Sequence, residues 1–152
     1  MRQFIILCLF CSAGSLFAYE GVFVGLCAEV NGNSAHGPGV SGGIVLGIDL
    51  HRHWAIGVKT AYNHDLDSVG MLEQQALLQY YFVSNNSGIF SQVQAGYSML
   101  FLSGDNHFMF NGGWGTGWRF KLGNNVFFEP AFLVGYPFFW GASLTAGAVL
   151  RQ

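Results

Sequence analysis

Bulky apolar residues alternate with small or polar ones along most of this chain, and this alternation limits its possible folds more than any other feature. Eight runs show the two-residue period that is typical of β-strands, and Gly, Asn, Ser and Asp separate the runs. The predicted strands are Tyr19–Val30, Pro38–Leu50, Trp54–Asn63, Met71–Val83, Ile89–Leu102, Phe108–Leu122, Val126–Tyr136 and Phe138–Leu150. The sequence therefore predicts an all-β fold of antiparallel strands.

The two faces of these strands differ in a way that does not suit a water-soluble protein. In the sixth run the bulky face consists of Phe108, Phe110, Trp114, Trp118 and Phe120, and the opposite face is mostly glycine with Arg119 and Lys121. Such a small, polar face cannot build a close-packed apolar core. With 9% charged residues, the chain also has too little charge for an ordinary water-facing surface. The pattern fits a closed barrel with bulky residues against lipid and small polar residues in a narrow lumen.

The connections and the aromatic residues predict how such a barrel sits in a membrane. Tight turns at 51–53, 84–88 and 123–125 alternate with longer connections at 31–37, 64–70 and 103–107, as do the periplasmic turns and outer loops of transmembrane barrels. Aromatic residues gather at both ends of the runs, as in two interfacial girdles. The girdle on the turn side contains Trp54, Tyr80, Phe82, Trp118 and Phe120, and the one on the loop side Tyr62, Tyr97, Phe101, Phe108, Tyr136 and Trp140. We therefore expect an eight-stranded antiparallel up-and-down transmembrane β-barrel.

Residues 1–18 have the layout of a secretory signal peptide rather than of a strand. A basic start at Arg2 precedes the apolar run Phe4–Phe10, small residues follow, and Ala18 ends the segment. The apolar run is much shorter than the ~20 residues that a transmembrane helix needs. We therefore expect a signal peptide over residues 1–18 and a barrel domain over residues 19–152.

This combination of signal peptide, eight amphipathic strands and two girdles resembles the small eight-stranded outer-membrane proteins of diderm bacteria. That group includes the OmpA transmembrane domain, OmpX and OmpW, and the resemblance rests on pattern over the whole mature chain. It implies residence in the bacterial outer membrane, with outer-membrane lipid and the barrel-assembly machinery as partners. Such barrels usually end in an aromatic residue, whereas this chain ends Val149-Leu150-Arg151-Gln152.

Charged residues on the inward-facing parity form the candidate site, a charge network in the lumen. The acids are Glu29, Asp49, Glu73 and Glu129, the bases are Lys59, Arg119, Lys121 and Arg151, and Gln75, Gln79, Gln92 and Gln94 accompany them. A charge in a narrow lumen must be paired or hydrated. Arg119 and Glu129 lie equally far from Asn124, so a regular hairpin places them opposite each other. The network can be a gate that opens a pore or a permanent polar plug, and the narrowness of eight-stranded barrels favours the plug.

The glycine-rich segment Gly112–Trp118 leaves space on the inner wall. It either widens a passage or makes room for Arg119, Lys121 and inward aromatic residues such as Phe90 or Phe127. The second interpretation is favoured, because side chains fill the interior of a barrel this small. The one cysteine after residue 18, Cys27, is interpreted as a small interior residue.

No residue pattern predicts catalysis, a metal or another cofactor. The histidines, which are His36, His51, His53, His64 and His107, fall in predicted connections without a carboxylate or cysteine pattern that completes a metal site. His64, Asp65, Asp67 and Ser68 lie too close in sequence to act from facing elements, as the members of a catalytic triad do. No histidine has a serine two residues later, the pair that eight-stranded lipid A deacylases carry. With a net charge of −2, a nucleic-acid partner is not expected either.

The sequence thus predicts an integral outer-membrane barrel that is structural or permeable to a small solute, with a largely plugged polar lumen. The alternative is a surface protein that binds a host ligand through its outward loops. Long, adaptable loops would favour the alternative, and the predicted loops are short.

Overall fold

The computed structural model describes residues 21–33, 37–65, 70–83, 85–101 and 106–150. Within these ranges eight strands follow one another around a closed barrel, each antiparallel to its neighbours, and the last strand pairs with the first. The strands are β1 (Gly21–Asn33), β2 (Gly37–His51), β3 (Trp54–Asp65), β4 (Gly70–Val83), β5 (Ser87–Phe101), β6 (Asn106–Leu122), β7 (Val126–Tyr136) and β8 (Trp140–Leu150). The predicted fold class is confirmed. No helix in the part of the chain that is described is long and apolar enough to cross a membrane.

Several strands continue further toward the longer connections than the sequence predicted. β1 runs to Asn33, β3 runs to Asp65 and β6 already begins at Asn106. The prediction ended these strands where polar residues begin. Polar side chains can face the lumen of a barrel, however, so the backbone hydrogen bonding between strands continues past them.

The placement of the histidines in connections is correspondingly wrong for three of them. His51, His64 and His107 lie in β2, β3 and β6, whereas His53 lies in the β2–β3 turn. His36 lies outside the described residues.

The outer wall consists of exposed apolar side chains, as the alternation predicted. Val58 is 55% exposed and Phe108 is 70% exposed. On the turn side the aromatic rings touch: the Trp54 and Tyr80 ring centroids lie 4.8 Å apart, and the Phe120 and Phe128 rings stack at 4.6 Å. The outer wall thus has the band and the girdle expected of a lipid-facing surface.

We name the two ends of the barrel after their connections. The turn end carries the β2–β3, β4–β5 and β6–β7 turns, and the loop end carries the connections at 34–36, 66–69, 102–105 and 137–139. The turn half of the lumen contains Phe23, Asp49, Gln79, Tyr81, Phe90, Arg119, Phe127 and Glu129. The loop half contains Glu29, Asn31, Lys59, Asn63, Glu73, Gln75, Gln94 and Asn111.

The inward face is not polar throughout, which corrects the prediction that it cannot form an apolar core. Nine buried residues pack together inside the barrel among those described: Phe23, Cys27, Val45, Ala55, Leu77, Tyr81, Phe90, Phe127 and Val149. The register explains how this is possible, since Phe23 pairs with Gly47 and Phe90 pairs with Gly117. A Cβ atom at Gly47 would lie 2.1 Å from Phe23 Cζ, and one at Gly117 would lie 2.6 Å from Phe90 Cζ. Gly117 therefore makes room for a ring, in agreement with the packing interpretation of the glycine-rich segment.

Candidate functional site: the lumen charge network

Arg119, on β6, is the central charged residue of the turn half and is only 1% exposed. Its Nε donates a hydrogen bond to Glu129 Oε1 on the neighbouring strand β7, which is the pair expected from the hairpin. Its Nη1 donates to Asp49 Oδ1 at 3.1 Å. Because β2 and β6 lie on opposite walls of the barrel, this second contact crosses the lumen. One guanidinium group thus joins two carboxylates from different walls.

Three aromatic rings enclose the same guanidinium group. Its Cζ atom lies 4.8 Å from the ring centroid of Phe23, 4.9 Å from that of Tyr81 and 4.5 Å from that of Phe127. At these distances the ring faces attract a cation. Arg119 Nη2 is also buried and has no hydrogen-bond acceptor among the described residues.

The hydroxyl group of Tyr81, one of the three enclosing rings, also contacts a carboxylate that binds Arg119. It lies 3.0 Å from Glu129 Oε1 and 3.1 Å from Gln79 Oε1, and it can donate its proton to one of them at a time. β4 and β7 are three strands apart, so this contact also reaches across the lumen. Protein side chains therefore fill the turn half across its width.

The loop half is less completely paired. Lys59 Nζ, on β3, donates to Glu29 Oε2, on β1, at 3.1 Å, and both side chains are buried. Glu73, on β4, is 3% exposed, and its Oε1 has no hydrogen-bond partner among the described residues. The same holds for further buried oxygens, which are Asn31 Oδ1, Gln75 Oε1, Gln94 Oε1 and Asn111 Oδ1.

Two small cavities lie between these side chains. One, of about 20 Å³, is lined by Glu29, Glu73, Gln75 and Gln94 and continues along the wall to residues 136–138 at the loop end. The other, of about 30 Å³, is lined by Glu29, Lys59, Gln92 and Glu129 among others. Each has room for about one water molecule or an ion of similar size.

Six of the predicted network residues line the lumen in the described part of the chain, namely Glu29, Asp49, Lys59, Glu73, Arg119 and Glu129. Lys121 has the predicted parity but lies exposed at the turn end, where its Nζ donates to the backbone oxygen of Asn85. The alternation predicts which face of a strand a residue lies on but not how far along the barrel it lies. Lys121 lies near the end of β6, at the rim of the barrel on the turn side. Arg151 lies outside the described residues.

Sequence reasoning missed the two rings that complete the enclosure, Phe23 and Tyr81. Tyr81 lies between Tyr80 and Phe82, whose assignment to the outer girdle already implied that Tyr81 points inward. No group of three or more His, Cys, Asp or Glu side chains in the described ranges is arranged to hold a metal ion. Cys27 is buried and free.

Comparisons with known proteins point to the fold alone. No family model matches the sequence, and no curated protein matches it. Among solved structures, Neisserial surface protein A (NspA) superposes with a TM-score of 0.63 and 17% identity, covering 89% of this chain and 99% of that one.

Two further solved barrels are similar. The N-terminal β-barrel domain of Pseudomonas aeruginosa OprF has a TM-score of 0.60 and 18% identity, covering 87% of this chain and 99% of that one. Ail of Yersinia pestis, solved in complex with the heparin analogue sucrose octasulfate, has a TM-score of 0.52 and 12% identity over 88% of this chain and 98% of its own. The chain therefore has the fold of the small eight-stranded outer-membrane β-barrels, which it resembles in structure.

Proposed function

We propose that this chain is an integral protein of the bacterial outer membrane whose lumen is closed in its turn half, so that it serves as a structural barrel rather than an open pore. The observation that carries the proposal is the enclosure of Arg119 by two carboxylates and three rings. A buried cation with this many partners is costly to expose, so the obstruction is permanent under ordinary conditions. The proposal assigns no reaction to the barrel.

Export through a signal peptide at residues 1–18 is part of the proposal. Purified membrane protein is expected to begin at Tyr19, which N-terminal sequencing would reveal. Recovery of a soluble periplasmic product, or of membrane protein that still begins at Met1, would contradict the expected route.

The exposed apolar wall supports residence in a membrane and can be tested by substitution. Val58, which faces outward, is 55% exposed, whereas Ala61, which faces inward on the same strand, is 1% exposed. Val58→Arg should cost about 2–4 kcal/mol of unfolding free energy in a lipid-embedded barrel, because a charge near the midplane must leave water. Ala61→Ser is the matched control and should be nearly silent. Equal effects in urea titrations would mean that the outward face is assigned wrongly.

Closure of the lumen is testable by recording currents across planar bilayers. The parent barrel should conduct little, and the double variant Arg119→Ala with Glu129→Ala should conduct more, because it removes the contacts of Arg119 with Asp49 and of Glu129 with Tyr81, which cross the lumen. Lys121→Ala, which removes a base of the same strand at the rim, should leave the current unchanged. Steady current through the parent protein would show that the lumen is an open pore.

Binding of a host ligand through the loops is the second candidate function, and Ail gives an example of a barrel of this fold solved with a heparin analogue. A polyanion of that kind needs Lys or Arg side chains. The loop-end connections of this chain contain Asp67 and Asp105 and neither Lys nor Arg. The charge at the loop end therefore favours the structural barrel over a receptor for sulfated polysaccharides.

A further inference from the structure

The loop half of the lumen holds more negative than positive charge. Glu29 and Glu73 both line the 20 Å³ cavity, while the ammonium group of Lys59 donates to Glu29. These three side chains together carry a charge of −1. In a narrow, poorly hydrated lumen such an imbalance is unfavourable unless a mobile positive charge offsets it.

Three of the residues that line this cavity have a buried side-chain oxygen without a hydrogen-bond donor in the described part of the chain. Glu73 Oε1, Gln75 Oε1 and Gln94 Oε1 have no partner among the described residues, and Glu73 and Gln75 are only 3% and 6% exposed. Carboxylate and amide oxygens are the ligands that hard cations prefer. Two of the unpartnered atoms are amide oxygens, so the site does not rest on a pair of carboxylates alone.

We propose that this cavity, lined by Glu29, Glu73, Gln75 and Gln94, binds one monovalent cation of the size of sodium or potassium. A single positive charge neutralises the group, whereas a divalent ion would leave an excess of one positive charge. The cavity has room for one particle of the size of a water molecule, which excludes larger organic cations.

Access to the site is from the loop end. The cavity lining continues to residues 136–138, next to the β7–β8 connection. The loop-end connections contain Asp67 and Asp105 and no Lys or Arg, so the field at the entrance attracts cations and disfavours anions. On the other side, the side chains around Arg119 cross the lumen from several strands, so they obstruct a bound cation from passing on through the turn half.

The site goes beyond the structural role proposed above, and its test measures equilibrium binding rather than current. Folded parent barrel in a neutral detergent is added to dilute sodium chloride, and the line width of the sodium NMR signal is recorded. We expect broadening that excess potassium reverses and that N-methylglucamine, a cation too large for the cavity, does not. Broadening that both cations reverse equally would mean loose attraction to surface charge, and absence of broadening would mean that no site exists.

Substitutions locate the site. Glu73→Gln should weaken the apparent sodium affinity by about tenfold or more, since it removes the excess negative charge at nearly constant shape. Gln74→Met is the matched control: it removes an amide oxygen from the residue between Glu73 and Gln75, which does not line the cavity, and it should leave the affinity within about twofold. If Glu73→Gln fails to fold, as judged by heat-modifiable gel mobility, Gln94→Met removes a single oxygen and should also weaken binding. Unchanged affinity in a folded Glu73→Gln or Gln94→Met barrel would overturn the assignment.

Discussion

The two halves of the lumen carry the same charges, two carboxylates and one base each, but they accommodate them differently. In the turn half, Arg119 bonds to Asp49 and Glu129 and is enclosed by three rings. In the loop half, Lys59 bonds to Glu29, while Glu73 has a carboxylate oxygen without a partner among the described residues. Side chains cross the turn half from wall to wall, with a cavity of about 30 Å³ where it meets the loop half, and the loop half has a further cavity of about 20 Å³ beside Glu29 and Glu73.

This difference teaches that the diameter of the barrel does not by itself decide whether the lumen is closed. Both halves have the same eight walls in the described structure. The turn half closes because inward phenylalanines face glycines across the strand pairs, so that bulky rings reach the axis. The loop half has shorter polar side chains such as Asn31, Asn63 and Asn111 at the equivalent depth, and these do not fill the space.

The largest expected effect compares the two bases. Arg119→Met leaves two carboxylates without their cation in a filled space and should cost about 3–5 kcal/mol of unfolding free energy. Lys59→Met makes the same change where water and small ions can enter, and should cost about 1–2 kcal/mol. Urea titrations of both variants in the same lipid give the comparison. Equal losses would mean that the two halves are equally shielded from solvent.

A second comparison uses glycines on the inner wall. A Cβ atom at Gly47 would meet Phe23 Cζ at 2.1 Å and the Ile56 backbone oxygen at 2.6 Å, whereas at Gly141 it would meet Glu29 Oε1 at 3.1 Å. Gly47→Ala should therefore cost about 1–3 kcal/mol, since neither the ring nor the strand can move away freely. Gly141→Ala should cost less than about 1 kcal/mol, because the end of a glutamate side chain can shift. Thermal unfolding, monitored by heat-modifiable gel mobility, measures both losses. A larger loss for Gly141→Ala than for Gly47→Ala would argue against tight packing in the turn half.

The smallest effect is expected from neutralising a carboxylate in the loop half. In N-methylglucamine chloride, Glu73→Gln should change the unfolding free energy by no more than about 0.5 kcal/mol, because Lys59 stays bonded to Glu29 and the removed charge is the one in excess over that pair. Asp49→Asn is the matched change in the turn half and should cost about 1–3 kcal/mol, since it weakens the bond with Arg119. The two variants are compared in one urea series. A clear loss of stability in Glu73→Gln under these conditions would show that Glu73 is fully paired within the protein.

The strands and their faces could be predicted from sequence because alternation is a local property. The bounds of β7, Val126–Tyr136, agree with the prediction, and the hairpin symmetry about Asn124 placed Arg119 beside Glu129. These inferences need no knowledge of distant strands. Each depends only on the two-residue period and on one turn.

What was not predicted depends on register and on depth along the barrel. The inward face was judged by its average composition, which hides the concentration of Phe23, Tyr81, Phe90 and Phe127 in one half. The contact of Arg119 with Asp49 joins residues that are 70 positions apart and becomes visible only when the barrel is closed. Lys121 shows the same limit, since its parity predicted the inward face but gave no information on its position at the exposed turn end.

The contacts across the lumen also bear on how the barrel assembles. Arg119 meets Asp49 from β6 to β2, Tyr81 meets Glu129 from β4 to β7, and Lys59 meets Glu29 from β3 to β1, so none of them forms within one hairpin. A sheet that has not yet closed has the backbone hydrogen bonds between its paired strands. It does not yet have the contact between Arg119 and Asp49 or the packing of the rings around the guanidinium group. The stabilisation from the contact between Arg119 and Asp49 and from the packed rings is therefore gained only when β1 pairs with β8. Closure is then cooperative, and it is slow because these contacts are far apart in sequence. The contacts that close the lumen therefore also stabilise the closed barrel over its partly assembled forms.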